Sequence, residues 1–120
     1  MDNKRILYIE DNPQNMRLVR KILQHVGFEV LEAENGETGV KVALDAEPDL
    51  ILMDINLPDI DGLEATKRIK SRYPRMPIVA LTANAMYGDE ERILAAGCDG
   101  YLSKPVSKEQ LLSKLSEFLG

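Results

Sequence analysis

Five side chains in this sequence could act together on a charged substrate: the carboxylates of Glu10, Asp11 and Asp54, the hydroxyl of Thr82 and the ammonium of Lys104. Each stands at the end of an apolar run. Arg5-Ile6-Leu7-Tyr8-Ile9 precedes the acidic pair, Leu50-Ile51-Leu52-Met53 precedes Asp54, Ile78-Val79-Ala80-Leu81 precedes Thr82, and Gly100-Tyr101-Leu102-Ser103 precedes Lys104. Carboxylates gathered in one place repel one another unless cations compensate. An oxygen-seeking divalent ion such as Mg²⁺, together with the Lys104 ammonium, would supply that compensation. Mg²⁺ takes one or two carboxylates and a carbonyl and keeps several waters, which leaves room for a phosphate oxygen. A carboxylate nucleophile, a hydroxyl donor and cations that absorb charge on a moving group are the parts of phosphoryl transfer. Plainer uses compete: a strand-end Asp commonly caps the next turn, and a lysine is commonly just solvated. Convergence would decide between them, and convergence requires every strand end to share one edge.

The elements that must bring this about alternate. Leu50-Ile51-Leu52-Met53-Asp54 is uncharged until its last residue and lies between Pro48 and Pro58, which suits a strand buried on both faces. Ligands of open α/β sheets bind outside the carboxyl ends of such strands. After the first strand, Asn12 is a suitable N-cap and Pro13 a suitable first helical residue. Met16, Val19, Ile22, Leu23 and Val26 then recur at helical spacing as far as Gly27. His25 falls in the last turn of this helix, with no His or Cys at ligand spacing. Residues 28–32 read as a second strand, Asn35-Gly36 as a turn, and residues 39–44 as a weaker helix. Asp61-Gly62 breaks the loop before a third helix whose inner face carries Leu63, Thr66 and Ile69. Residues 78–82 form the fourth strand, 90–96 a helix stopped by Gly97, and 100–103 the fifth strand. Ser107 and Gln110 make a capping box for a last helix lined by Leu111, Leu112, Leu115, Phe118 and Leu119. Strand and helix thus alternate five times, predicting an α/β domain over residues 1–120 with helices on both faces of a five-stranded parallel sheet. Right-handed crossovers favour the flavodoxin-like strand order 2-1-3-4-5.

The 120 residues suffice for one domain, and 44% hydrophobic with 29% charged content is ordinary for a soluble fold. No apolar stretch nears the roughly 20 residues that span a bilayer, and no basic-then-apolar leader opens the chain. Cys98 is the one cysteine, so no internal disulfide forms, and a reduced, cytoplasmic setting is expected. A net charge of -5 argues against direct nucleic-acid binding.

Taken together, Glu10-Asp11-Asn12, Met53-Asp54 with Pro58 and Asp61-Gly62, Leu81-Thr82-Ala83, and Ser103-Lys104-Pro105 resemble the receiver domain of two-component response regulators. The resemblance covers essentially the whole chain and implies the CheY-like three-layer (βα)5 fold. It implies that Asp54 is the phosphoacceptor. It further implies that Asp11 and Asp54 ligate Mg²⁺ with the Asn56 carbonyl, and that Glu10, where the family often has Asp, acts on the ion's waters. Thr82 and Lys104 would bind the phosphoryl oxygens, Tyr101 would turn inward on activation, and the Lys104-Pro105 bond would be cis. Asn56 and Asn84, each two residues beyond a site residue, would tune the lifetime of the phosphorylated state. Asn15-Met16 and Asn84-Ala85-Met86 with Gly88-Asp89 look like receivers of hybrid histidine kinases and stand-alone DivK-type regulators. The implied donor is a histidine kinase or histidine phosphotransfer protein. The implied exit is a downstream protein on the face of the fourth helix, fifth strand and fifth helix, no output domain being expected after Leu119.

Three other functions fit parts of the pattern. An Asp-nucleophile phosphatase usually has a second Asp two residues after the nucleophile, where this chain has Asn56, and needs material for a cap. An FMN module wants a Ser/Thr/Gly-rich phosphate loop where Glu10-Asp11 would repel phosphate. A docking module that is never phosphorylated would not need the acid, hydroxyl and lysine set. The expectation is a signalling phosphoacceptor that turns over no separate substrate.

Overall fold

The computed structural model describes residues 4–83 and 88–120. Ten elements follow in strict alternation: β1 (Arg5–Ile9), α1 (Pro13–His25), β2 (Glu29–Ala33), α2 (Gly36–Ala46), β3 (Leu50–Asp54), α3 (Gly62–Arg72), β4 (Ile78–Thr82), α4 (Asp89–Ala95), β5 (Gly100–Ser103) and α5 (Lys108–Leu119). The strands form one parallel sheet in the order β2-β1-β3-β4-β5, as expected from the crossover rule.

Side chains alternate across each strand, so β1, β3 and β4 feed two separate cores. Leu7, Ile9, Ile51, Met53, Ile78 and Ala80 pack on one face against residues of α2, α3 and α4. Ile6, Tyr8, Leu50, Leu52, Val79 and Leu81 pack on the other against Met16, Val19 and Leu23 of α1 and Leu111 and Leu115 of α5. The continuous apolar runs are therefore the signature of strands covered on both sides. β3 and β4 are buried along their whole length.

Local chemistry sets most element ends. Asn12 accepts the Gln14 and Asn15 amides at the start of α1, with Pro13 beside it. At its end Gly27 adopts φ 101°, its amide bonds to Gln24 and that of Phe28 to Leu23, the paired bonds of a Schellman closure. That draws Phe28 into the helix terminus, so β2 begins at Glu29 and reaches Ala33, one residue later than residues 28–32 suggest. Val26, expected on the inner face, is exposed at the C-cap. Ser107 caps α5 by accepting the Gln110 amide.

α2 departs furthest from expectation. Asn35 is its N-cap rather than part of a turn, and the helix runs over Gly36–Ala46 instead of 39–44. Two glycines hid it, because glycine is a poor helix former. Gly39 is needed for close packing: a Cβ there would lie 2.5 Å from Ile9 Cδ1. The loop after β3 supports the same helix, since Asp59 accepts the Gly36 and Glu37 amides at 2.7 and 2.8 Å.

Candidate functional site

The end of β3 is held from below. Gly62 opens α3 so close to it that a Cβ would run into the Asp54 carbonyl oxygen, and the Gly62 amide bonds to the Ile55 carbonyl at 3.0 Å. Asp61 caps that helix through the Glu64 amide. Asp54 is thereby fixed at the carboxyl edge of the sheet, 2% exposed, accepting the Asn56 amide at 3.1 Å.

Register brings the end of β1 alongside, with Ile9 opposite Met53. Glu10 is 1% exposed, whereas Asp11 faces solvent. Ligand atoms of Glu10, Asp11 and Asp54 all lie within 4.8 Å of one another, so the three carboxylates could hold a metal ion. Lys104 reaches the same point from the end of β5, its Nζ lying 3.2 Å from Glu10 Oε1 and 3.2 Å from Asp54 Oδ1. The Lys104-Pro105 peptide is cis, as the family resemblance implies.

The Lys104 ammonium does not balance both buried carboxylates, and the protonation of Glu10 and Asp54 divides accordingly. Burial, then the hydrogen bond and charge of Glu10, push the Asp54 carboxyl up to about 6, against the Asn56 amide and Lys104. Burial is also the largest influence on Glu10, but hydrogen bonds from Asp54, Tyr8 and the Asn12 amide and the charge of Lys104 outweigh it and hold Glu10 below the usual range. This donor set suits a divalent cation, which would balance its charge.

Thr82 ends β4, buried, opposite Ser103 of β5, and its carbonyl accepts the Lys104 amide at 2.8 Å. Its hydroxyl donates to Asp89 Oδ2 at 2.9 Å, and Asp89 Oδ1 pairs with Arg92 at 2.8 Å. Thr82 thus joins the site to the first turn of α4. α4 spans Asp89–Ala95, against an expected 90–96, and closes on Gly97. Tyr101 on β5 is half-buried against the α2–α4 core, and the hydrogen bond with Glu90 raises its phenol. Asn84 lies outside the described residues, as do Met86 and Tyr87.

The structure therefore brings together Glu10, Asp11, Asp54 and Lys104, with Asn56 beside them, and sets Thr82 and Tyr101 on the α4 side. Sequence reasoning missed two participants. Tyr8 donates its hydroxyl to Glu10 Oε1 at 2.9 Å. Its position two residues before Glu10, on the same side of a strand, was the available signal. Asp89 stood in a quoted motif, but nothing local pairs it with a residue seven positions earlier.

Comparison with known proteins agrees with this geometry. A sequence model described as the response regulator receiver domain matches residues 6–116. A polar-differentiation response regulator DivK of Brucella anthropi is 42% identical over 119 residues, covering 98% of this chain and 97% of its own. The receiver domain of sensor histidine kinase PA1611 from Pseudomonas aeruginosa PAO1, solved with a magnesium ion coordinated in its active site cleft, superposes with TM-score 0.91 at 39% identity, covering 98% of each chain. The receiver domain in a complex of Saccharomyces cerevisiae Ssk1 with the histidine phosphotransfer protein Ypd1 gives TM-score 0.91 at 30% identity, over 97% of this chain and 88% of that one.

Proposed function

The chain belongs to the response regulator receiver domain family of two-component systems, and on that premise we propose that it accepts a phosphoryl group on Asp54 from a phosphohistidine protein and passes the signal to another protein. The N–P bond of the donor breaks as an Asp54 carboxylate oxygen forms an O–P bond, and the leaving imidazole takes up a proton. Asp54 suits the nucleophile because it ends the central strand β3, with its Oδ1 3.2 Å from Lys104 Nζ at the carboxyl edge of the sheet. Asp11, Asp54 and the Asn56 carbonyl would hold Mg²⁺, with Glu10 acting through its waters; when bound, the ion would neutralise the carboxylates and polarise the incoming phosphoryl group. A donor protein carrying histidine is supported by the similarity to the receiver solved with Ypd1.

Lys104 pairs with phosphoryl oxygens as the group arrives, its charge already placed 3.2 Å from the attacking carboxylate. Thr82 has one proton to donate, and a phosphoryl oxygen would take it in competition with Asp89. Releasing Asp89 loosens the first turn of α4, and Tyr101, tied to the same helix through Glu90, responds with it. The α4–β5–α5 face is accordingly the proposed exit, and an open groove of about 530 Å³ lined by Tyr101, Ser103 and Lys114 lies on it. The chain acts stoichiometrically, as a phosphoacceptor rather than an enzyme with a separate substrate, and residues 1–120 work as one domain. Protein partners in a cytoplasmic setting complete the proposal, supported by the receiver solved with Ypd1 and by a charge of -5 that disfavours nucleic acid.

The convergence of Glu10, Asp11 and Asp54 within 4.8 Å, met by Lys104, carries this reading. Intact-mass measurement with a phosphoramidate donor tests it. Wild type with Mg²⁺ should gain the mass of one phosphoryl group, and Asp54→Asn, or wild type in excess chelator, should gain nothing. Full labelling of Asp54→Asn would overturn it.

A further inference from the structure

No step of that reaction uses the buried phenol of Tyr8. Phenylalanine would fill this place on β1 as well, and a hydroxyl on a side chain 1% exposed is costly unless it is bonded. The bond it makes is to Glu10 Oε1, 2.9 Å away. The same oxygen accepts from Lys104 at 3.2 Å, while Oε2 accepts the Asn12 amide at 3.2 Å. Three donors therefore aim one carboxylate. They are not equivalent: Lys104 is shared with Asp54 and is 23% exposed on a flexible stem, whereas Tyr8 is 1% exposed on β1, opposite Leu52 and within the core that α1 and α5 cover.

The difference matters once a phosphoryl group arrives. Lys104 then turns its charge to the phosphoryl oxygens, and Glu10 Oε1 loses an ammonium. Tyr8, buried on β1 two residues before Glu10, remains as the donor that keeps Glu10 in place. Resting on the phosphoacceptor reading above, we infer that Tyr8 is a positioning residue: its phenol holds the Glu10 carboxylate toward the cation position and leaves Lys104 free for the phosphoryl group. Partners of this outer kind commonly matter to a metal site almost as much as the ligands they orient.

Calorimetric titration of the metal-free full chain with Mg²⁺ provides the test, run beside phosphoramidate labelling at saturating Mg²⁺. Tyr8→Phe keeps the ring and removes only the hydroxyl. It should weaken Mg²⁺ binding by about tenfold, the lower end of the usual range for an orienting partner, and slow labelling even when Mg²⁺ saturates. Ile6→Val, on the same strand and in the same core, should lower the melting temperature and leave the Mg²⁺ affinity as it is. Unchanged Mg²⁺ affinity in Tyr8→Phe would overturn the inference, as would equal weakening in Ile6→Val, which would reduce Tyr8 to packing. Absence of Mg²⁺ binding by wild type would instead bring down the phosphoacceptor reading itself, and this inference with it.

Discussion

The two halves of the carboxyl edge are built differently. At the ends of β1 and β3, Glu10 and Asp54 are nearly inaccessible, surrounded by backbone amides, Tyr8 and Lys104, and braced by Gly62 and by Asp59 on the α2 terminus. At the ends of β4 and β5, the polar links to α4 among the described residues include Thr82 to Asp89 and Tyr101 to Glu90, on a helix of seven residues that seats Ile93 in the core. Reacting groups benefit from rigid placement, since small displacements lose much of the advantage of orientation. A switch benefits from the opposite, an element poorly tied down whose balance a few hydrogen bonds can shift. In this reading the first half does the chemistry and the second reports it.

The sharpest way to break that division is Lys104→Met. Loss of the one ammonium seen on both buried acids should slow phosphoramidate labelling about a hundredfold, as expected for a preorganised group facing developing charge. Initial labelling rates followed by mass would check it, and a rate near wild type would move the chemistry elsewhere.

Gly62→Ala comes next. Its Cβ would meet the Asp54 carbonyl, so urea unfolding should show a loss of roughly 2–3 kcal/mol. Labelling should fall as well, while the α4 amide signals keep their positions. Movement of α4 in this variant would mean that the halves are less separate than the contacts suggest.

On the switch side, Asp89→Ala removes the acceptor of the Thr82 hydroxyl and the partner of Arg92. A hydrogen bond to a charged group contributes about 1.5–3 kcal/mol, so the α4 population should shift by about ten- to a hundredfold toward the phosphorylated form without phosphate. Amide chemical shifts, referenced to wild type with beryllofluoride, would read the shift. Thr82→Ala should still label yet lose the α4 response, and intact coupling in that variant would exclude Thr82 as the link.

The smallest effect concerns charge in the rigid half, measured without metal. Asp54 has a folded pKa above its unfolded one, raised from 3.8 to about 6, so its ionisation costs stability fully above that range and nothing below 3.8. Glu10 is displaced the other way: it contributes stability above its unfolded pKa, and this is lost as pH falls. Asp54→Asn should therefore stabilise the fold at pH 7.5 by about 1 kcal/mol, part of the full linkage being offset at Glu10. The gain should shrink as pH is lowered through 6 toward 3.8, and a gain that grows instead would reverse the assignment of the proton within the pair.

The order of elements, the two-sided burial of the central strands, the caps at Asn12 and Ser107 and the place of Asp54 at the end of β3 were legible in the sequence. They depend on side-chain periodicity and on hydrogen bonds spanning two or three residues. α2 was read short because Gly36 and Gly39 signal breakage locally, whereas their lack of a Cβ serves contacts with Ile60 and Ile9 from other elements. Tertiary structure alone decided which groups face one another. Lys104 meets Glu10 across 94 positions of sequence, Asp59 reaches back to α2, and the Thr82 hydroxyl points to Asp89. The opposite displacement of two carboxylates of nearly equal burial is the clearest case. Ionisation depends on which groups stand within about 3 Å, and although Tyr8, Asn12 and Asn56 are local partners, the stretches 8–12 and 54–56 meet each other and Lys104 only when the sheet closes.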